Sequence, residues 1–215
     1  MRNHEKDAME MEDRRSRILR EGFSLFSTKS IETISLQEVA DASHVGIATL
    51  YRYYEKKRAL AAAIGDREWS AVYQEVVKEF MDRDIASKTA AEMFEFYLDC
   101  YLWLFREHKQ LLKFHGNYCS YIFRDQAEEG WTGEFEVIAK RFSDMFHLLY
   151  LKAQQDKSLR TDLSEKKLFS MSMHIMLNLA AKYAEGLLYG EVEEEDRYEE
   201  LVFTKNLILN ACLPQ

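Results

Sequence analysis

Apolar residues recur at helical spacing along nearly the whole chain, and few breakers interrupt them. The first stripe, Ile18, Leu19, Phe23 and Phe26, predicts a helix over 12–28. Residues 1–11 show no period and read as a polar arm. Next, Ser35 stands three residues before Glu38, the spacing of a capping box, with Ile34 and Val39 at the staple positions. A short helix with Leu36, Val39 and Ala40 on one face follows and runs out near Ala42 and Ser43. The turn Ser43-His44-Val45-Gly46 leads to a second short helix opening at Ile47, with Leu50 and Tyr54 facing inward. Two short helices joined by so tight a turn make a helix-turn-helix.

Six longer helices are expected after it. They cover 56–82, 89–107, 109–124, 133–155, 165–189 and 197–213. The helix over 56–82 belongs to both halves of the chain and so could couple them mechanically. The helix over 89–107 is apolar almost all round, as a central bundle helix must be. Ser164 is the expected N-cap of the helix over 165–189. The fold class is all-α: an N-terminal three-helix helix-turn-helix domain over 12–58, then a ligand-binding and dimerisation bundle over 59–215, about nine helices in all.

The open side of the second short helix holds Ile47, Ala48, Thr49, Tyr51, Arg52 and Tyr53. An isolated helix has little reason to expose such a set together. A major groove supplies one, because hydroxyls and a guanidinium reach phosphates and base edges while apolar groups meet thymine methyls. Over residues 18–60, and most closely over the run from Val45 to Leu60, the chain resembles the DNA-binding domain of the tetracycline-repressor (TetR) family. The Thr49-Leu50-Tyr51 run, the aromatic Tyr54, and then Lys57 and Leu60 follow the family pattern in order. The resemblance implies base-facing positions for Ile47, Ala48, Tyr51, Arg52 and Tyr53. It implies backbone contacts for Ser35, Gln37, Thr49, Tyr51 and Lys57, with Gly46 at the start of the recognition helix. Two positions depart from the pattern: His44 replaces a turn glycine and Ser30 a helix-ending glycine, so a left-handed backbone and mild strain are expected at both.

Charge sharpens this picture. The net charge is -8 overall, yet residues 1–60 sum to +1 and the remainder to -9. A net-acidic protein still binds DNA through a locally basic face. No apolar run is long enough for a signal peptide or a membrane span, and Cys100, Cys119 and Cys212 are too sparse for a disulfide framework. A cytoplasmic protein without a cofactor is expected. Asp144 and His147, and His115 and Cys119, have spacings seen in metal sites, but each pair lacks further ligands. No phosphate loop or nucleophile elbow is present, so no catalytic residue is assigned.

Aromatic residues crowd the middle helices, where the resemblance implies an effector pocket. Candidates for holding an apolar or aromatic small molecule are Tyr97, Tyr101, Phe114, Asn117, Tyr118, Tyr121, Phe142, Phe146, Met173 and Met176. The last two helices would leave large apolar patches on a monomer. Pairing them with a second copy through Leu177, Ala180, Ala181, Ala184, Leu188, Leu207 and Ile208 would bury those patches, as the resemblance also implies. The expected function is a ligand-responsive transcriptional regulator: a homodimeric repressor of an inverted-repeat operator, released by its effector. The alternative is a helical-bundle enzyme or cofactor-binding protein that shares only the architecture.

Overall fold

A computed structural model describes residues 4–125, 134–186 and 193–214 of the chain. Among the described residues every long element is helical and no strand occurs. The helices are α1 (His4–Thr28), α2 (Leu36–Ala42), α3 (Ile47–Tyr53), α4 (Lys57–Asp82), α5 (Ala90–Glu107), α6 (Lys109–Asp125), α7 (Glu134–Asp156), α8 (Glu165–Glu185) and α9 (Glu194–Cys212). Short 3-10 turns at Ile31–Thr33 and Ile85–Ser87 precede α2 and α5.

The chain divides into two compact units, one of Met1–Glu68 with Lys113–Phe135 and one of Trp69–Leu112 with Glu136–Gln215. In the first, Ile18, Phe26, Ile31, Val39, Leu50, Leu60 and Phe114 are essentially without solvent contact. Gly22 lets α1 lie close to α4, since a Cβ there would stand 2.8 Å from Ile64 Cδ1. Phe114 of α6 packs its ring against Phe23 of α1, with centroids 5.7 Å apart. In the second unit α5 is the central member, packed against α8 and α9, which also pack on each other. Phe94, Leu98 and Phe105 of α5, Leu168 and Met176 of α8 and Leu201 of α9 fill that core.

Several boundaries moved, each for a local reason. Helix α1 begins at His4 and so takes in the stretch expected to be a polar arm. That stretch has no apolar stripe, but no breaker either, and i,i+4 pairs support it: Arg14 with Glu10 at 2.9 Å and Arg17 with Asp13 at 3.1 Å. Helix α9 starts before Arg197, because Glu194, Glu195 and Asp196 occupy its first turn, where carboxylates meet the positive end of the helix dipole. Helix α8 ends at Glu185, with Gly186 left-handed at φ 77°; the expected extension to residue 189 lies outside the described residues. The capping boxes Ser35–Glu38 and Thr89–Glu92 are both formed, and Ser164 caps α8.

The two departures from the family pattern come apart. His44 is left-handed, at φ 53°. Ser30 is not: at φ -56° and ψ 129° it is extended, so the strain expected there does not arise. An extended Ser30 also forms no left-handed cap, which leaves the last carbonyls of α1 in need of other donors.

One buried titratable group should register in stability. His115 of α6 is buried, and burial pulls its pKa down from 6.5 to about 4. Between these values the unfolded chain binds a proton that the native chain does not, so stability falls as pH drops through that window. The melting temperature should therefore fall on acidification from pH 6.5 to 4, and His115→Phe should lessen the slope. Parallel slopes for the two proteins would show that folding does not lower the His115 pKa.

Candidate nucleic-acid interface

The helix-turn-helix is built by two short helices, α2 and α3, whose ends are fixed locally. At the start of α2 the Ser35 hydroxyl accepts the Glu38 amide at 3.1 Å, and the Ser35 amide donates to the Glu38 carboxylate at 2.7 Å. The Ser35 amide and the Ser35 hydroxyl, both donating to that carboxylate, hold the Glu38 carboxyl below its usual pKa. Ser35 and Gln37 are both exposed, and the Gln37 amide donates to Asp41 at 2.7 Å. The turn is fastened by the Ser43 hydroxyl, which donates to the Val39 carbonyl at 2.6 Å, and by Arg17 of α1, which donates to the Ser43 carbonyl at 3.2 Å. Arg17 thus braces the turn from α1, a role that its spacing with Asp13 gave no reason to assign.

Helix α3 opens after Gly46, which is exposed and extended at φ -67°. Leu50 and Tyr54 are buried beneath it. Ala48, Tyr51 and Arg52 are exposed, Tyr51 at 51%. Ile47, Thr49 and Tyr53 are half-buried beside them. Tyr53 is more tethered than its neighbours: its hydroxyl donates to the Met11 carbonyl at 3.1 Å, and the Arg52 guanidinium lies 5.8 Å from its ring centre. Lys57 is half-buried at the start of α4, and its ammonium donates to the carbonyls of Ile31 and Glu32 at 2.9 and 3.0 Å. Desolvation lowers its pKa, against the pull of Glu32 and Glu38.

The residues expected around an effector fall into three groups. In the second unit, Tyr97, Tyr101 and Phe146 come together with Phe94 and Phe169. The Tyr101 hydroxyl donates to that of Tyr97 at 2.7 Å, and the Tyr97 and Phe146 rings lie 5.0 Å apart. Burial pushes the Tyr97 phenol up to about 12. Met176 is fully buried and Met173 half-buried on α8. Phe142 belongs to another cluster, edge-on to Trp69 and Tyr73 at 6.3 and 5.3 Å. Phe114, Asn117, Tyr118 and Tyr121 lie in the first unit, where Phe114 and Tyr118 stack at 5.8 Å. There Asn117 donates to the Phe26 and Lys29 carbonyls at 2.9 and 3.1 Å. A groove of about 330 Å³ between α4 and α5 is lined by other residues, among them Glu75, Phe96, Asp99, Cys100 and Trp103.

The expected pairing surface divides as well. Ala180, Ala181, Ala184 and Ile208 are buried within the chain itself, and Leu177 is half-buried. Leu207 is 55% exposed, while Leu188 lies outside the described residues. Sequence reasoning passed over Phe203 and Ile175, exposed at 64% and 42%. The i,i+4 spacing of Phe203 and Leu207 was the available signal. The spacings weighed as metal pairs serve otherwise: Asp144 binds Lys140 at 2.9 Å, His147 binds Glu165 at 2.9 Å, and Cys119 Sγ lies 3.6 Å from His115 Nε2. Among the described residues no helix is long and apolar enough to cross a membrane.

Residues 18–64 match the family model described as bacterial regulatory proteins, tetR family. No curated protein matches the chain. Solved structures share its fold. The fatty acid degradation regulator FadR from Bacillus halodurans is 10% identical at a TM-score of 0.68, covering 90% of this chain and 93% of that one. A regulatory protein of the tetR family from Rhodococcus RHA1 is 14% identical at 0.63, covering 93% and 97%. FadR from Bacillus subtilis, in complex with stearoyl-CoA, is 14% identical at 0.60, covering 91% and 95%. Regulators of this family are transcription factors and not enzymes. Residues 18–64 thus carry the DNA-binding module of the tetR family of bacterial regulatory proteins, within a helical fold that the chain shares with solved members of that family.

Proposed function

We propose that the protein is a homodimeric repressor that binds an inverted-repeat operator and is released by a small apolar or aromatic effector. The observation that carries this reading is the exposed Ala48, Tyr51 and Arg52 face of α3 above a buried Leu50. On this reading Tyr51 and Arg52 lead the contacts to bases, with Ile47 and Ala48 beside them. Ser35, Gln37, Gly46, Thr49 and Lys57 meet the backbone. Tyr53, tied to Met11, orients Arg52 and limits how far α3 can tilt. Lys57 keeps one ammonium donor beyond the two it spends on the connector, and its charge adds to phosphate attraction.

Two copies would place their α3 helices one helical turn of DNA apart, roughly 34–36 Å. An effector works by preferring a conformation in which that spacing is lost. A complete reversal of occupancy requires a preference of about 5.5 kcal/mol. The buried Tyr97, Tyr101 and Phe146 cluster is the favoured effector contact, because rings supply apolar area and the linked hydroxyls orient a polar end. The stearoyl-CoA bound by the Bacillus subtilis neighbour makes a long acyl chain one ligand worth testing.

The first experiment is selection of duplexes from a random-sequence pool by the purified protein, which should enrich an inverted repeat. Against that duplex, Lys57→Ala should weaken binding to all sequences and reduce the salt slope by about 1. Arg52→Ala should instead relax one base position, at a cost of about 1–3 kcal/mol of discrimination. A Lys57→Ala protein with altered base preference and an intact salt slope would reverse these roles.

The dimer is tested separately. Phe203 and Leu207 form the exposed apolar step on α9, so Phe203→Glu and Leu207→Glu each put a charge into the proposed seam twice over. Both variants should sediment as monomers and lose most operator affinity while keeping their helicity. A wild-type protein that sediments as a monomer at micromolar concentration would remove the seam.

A further inference from the structure

Helix α1 ends without the device that usually ends a helix. The Thr28 hydroxyl and the Lys29 amide serve the Leu25 carbonyl at 3.0 and 3.2 Å, and Ser30 is extended where a left-handed residue would turn the chain back to meet the carbonyls after it. Among the described residues the missing donor comes from far along the chain. Asn117 Nδ2 of α6 reaches the Phe26 carbonyl at 2.9 Å and the Lys29 carbonyl at 3.1 Å. About two turns further on, Arg124 pairs with the Glu32 carboxylate at 3.2 Å. From the other side Lys57 holds the carbonyls of Ile31 and Glu32. The connector between α1 and α2 is therefore held from outside at the carbonyls of Lys29, Ile31 and Glu32. Ile31 and Ile34 anchor it in the core below, and Ser35 hands it to α2.

We infer that Asn117, seconded by Arg124, is a positioning residue for DNA recognition: from α6 it sets the path of the connector, and through it the presentation of α2 and α3. The inference rests on α3 being the recognition helix. It assigns Asn117 to the backbone of α1 and not to an effector. Both of its side-chain N–H groups lie on one nitrogen, and that nitrogen is committed to two carbonyls of one short segment. Neither Asn117 nor Arg124 touches DNA in this scheme, so their loss alters geometry without removing a phosphate contact.

The test uses the full chain and the duplex that the wild-type protein enriches from a random pool. Asn117→Leu keeps the volume and the charge but removes the donors. It should lose about tenfold in affinity for the enriched duplex, the worth of one to two net hydrogen bonds, and almost none for a scrambled duplex. Its salt slope should equal that of the wild type, because no cation is lost. Hydrogen exchange should quicken at the amides of Thr33 and Ile34, and not in the core of α1 or α4, which separates positioning from general loosening. Ser120→Ala, on the same helix and without a contact to the connector, should behave as wild type. Arg124→Gln, an exposed change that the fold tolerates, should show the same pattern at roughly two- to fivefold, as for an exposed ion pair. It decides the matter if Asn117→Leu does not fold. Unchanged preference for the enriched duplex in both variants, or exchange that rises uniformly across the module, overturns the inference and leaves the regulator reading standing. Failure of the wild-type protein to enrich any duplex takes down both.

Discussion

Every helix in this chain must end somewhere, and each end leaves backbone groups that need partners. With a single proline in the sequence, side chains take part of that work. Ser35 and Thr89 close capping boxes, Ser164 caps α8, and Gly186 turns left-handed to end it. Where no local residue serves, a distant one does. The first amides of α5 are taken by Asp156 at the end of α7 and Ser158 just beyond it, at 2.8 and 3.0 Å, and the Phe26 carbonyl in the last turn of α1 by Asn117. The helix ends are thus the joints by which elements far apart in sequence are located against one another. The connector that leads into α2 is held by such joints.

This explains what could be read in advance. Ser35 with Glu38, and Ser164 before an apolar run, are local signals, and both caps are formed. The apolar stripe of α1 and the inward pair Leu50 and Tyr54 follow from helical period alone; Ile18, Leu19, Phe26, Leu50 and Tyr54 are buried and Phe23 is half-buried. The start of α1 at His4 was not legible, because charged i,i+4 pairs leave no apolar stripe. Asn117 was not legible as a cap, because its partners lie about ninety residues away and nothing in its own neighbourhood points to them. Ser30 misled for a related reason: a missing glycine signals strain only if the backbone there still turns left-handed, and here it does not.

The aromatic residues show the same limit from another side. Composition marks them as a group, yet the fold sorts them into separate clusters with separate work. Phe114 and Tyr118 support the first unit, Phe142 packs with Trp69 and Tyr73, and Tyr97, Tyr101 and Phe146 gather around a pair of linked hydroxyls. A sequence lists rings without saying which of them share a wall. On α8 and α9 the alanines that suggest a close approach between chains already serve a close approach within one, while Phe203 and Leu207 stay outside.

The contacts of α6 bear on how this regulator can be taken apart. A chimera that joins residues 1–68 to the sensory bundle of another regulator would carry the reading helices but leave behind Phe114, Asn117 and Arg124. The transplanted head would arrive with the end of its first helix unsealed and its connector held on one side only. The transferable part of this protein is discontinuous in sequence. It consists of the N-terminal stretch together with the section of α6 that grips it, and a graft drawn at the helix-turn-helix boundary cuts through it.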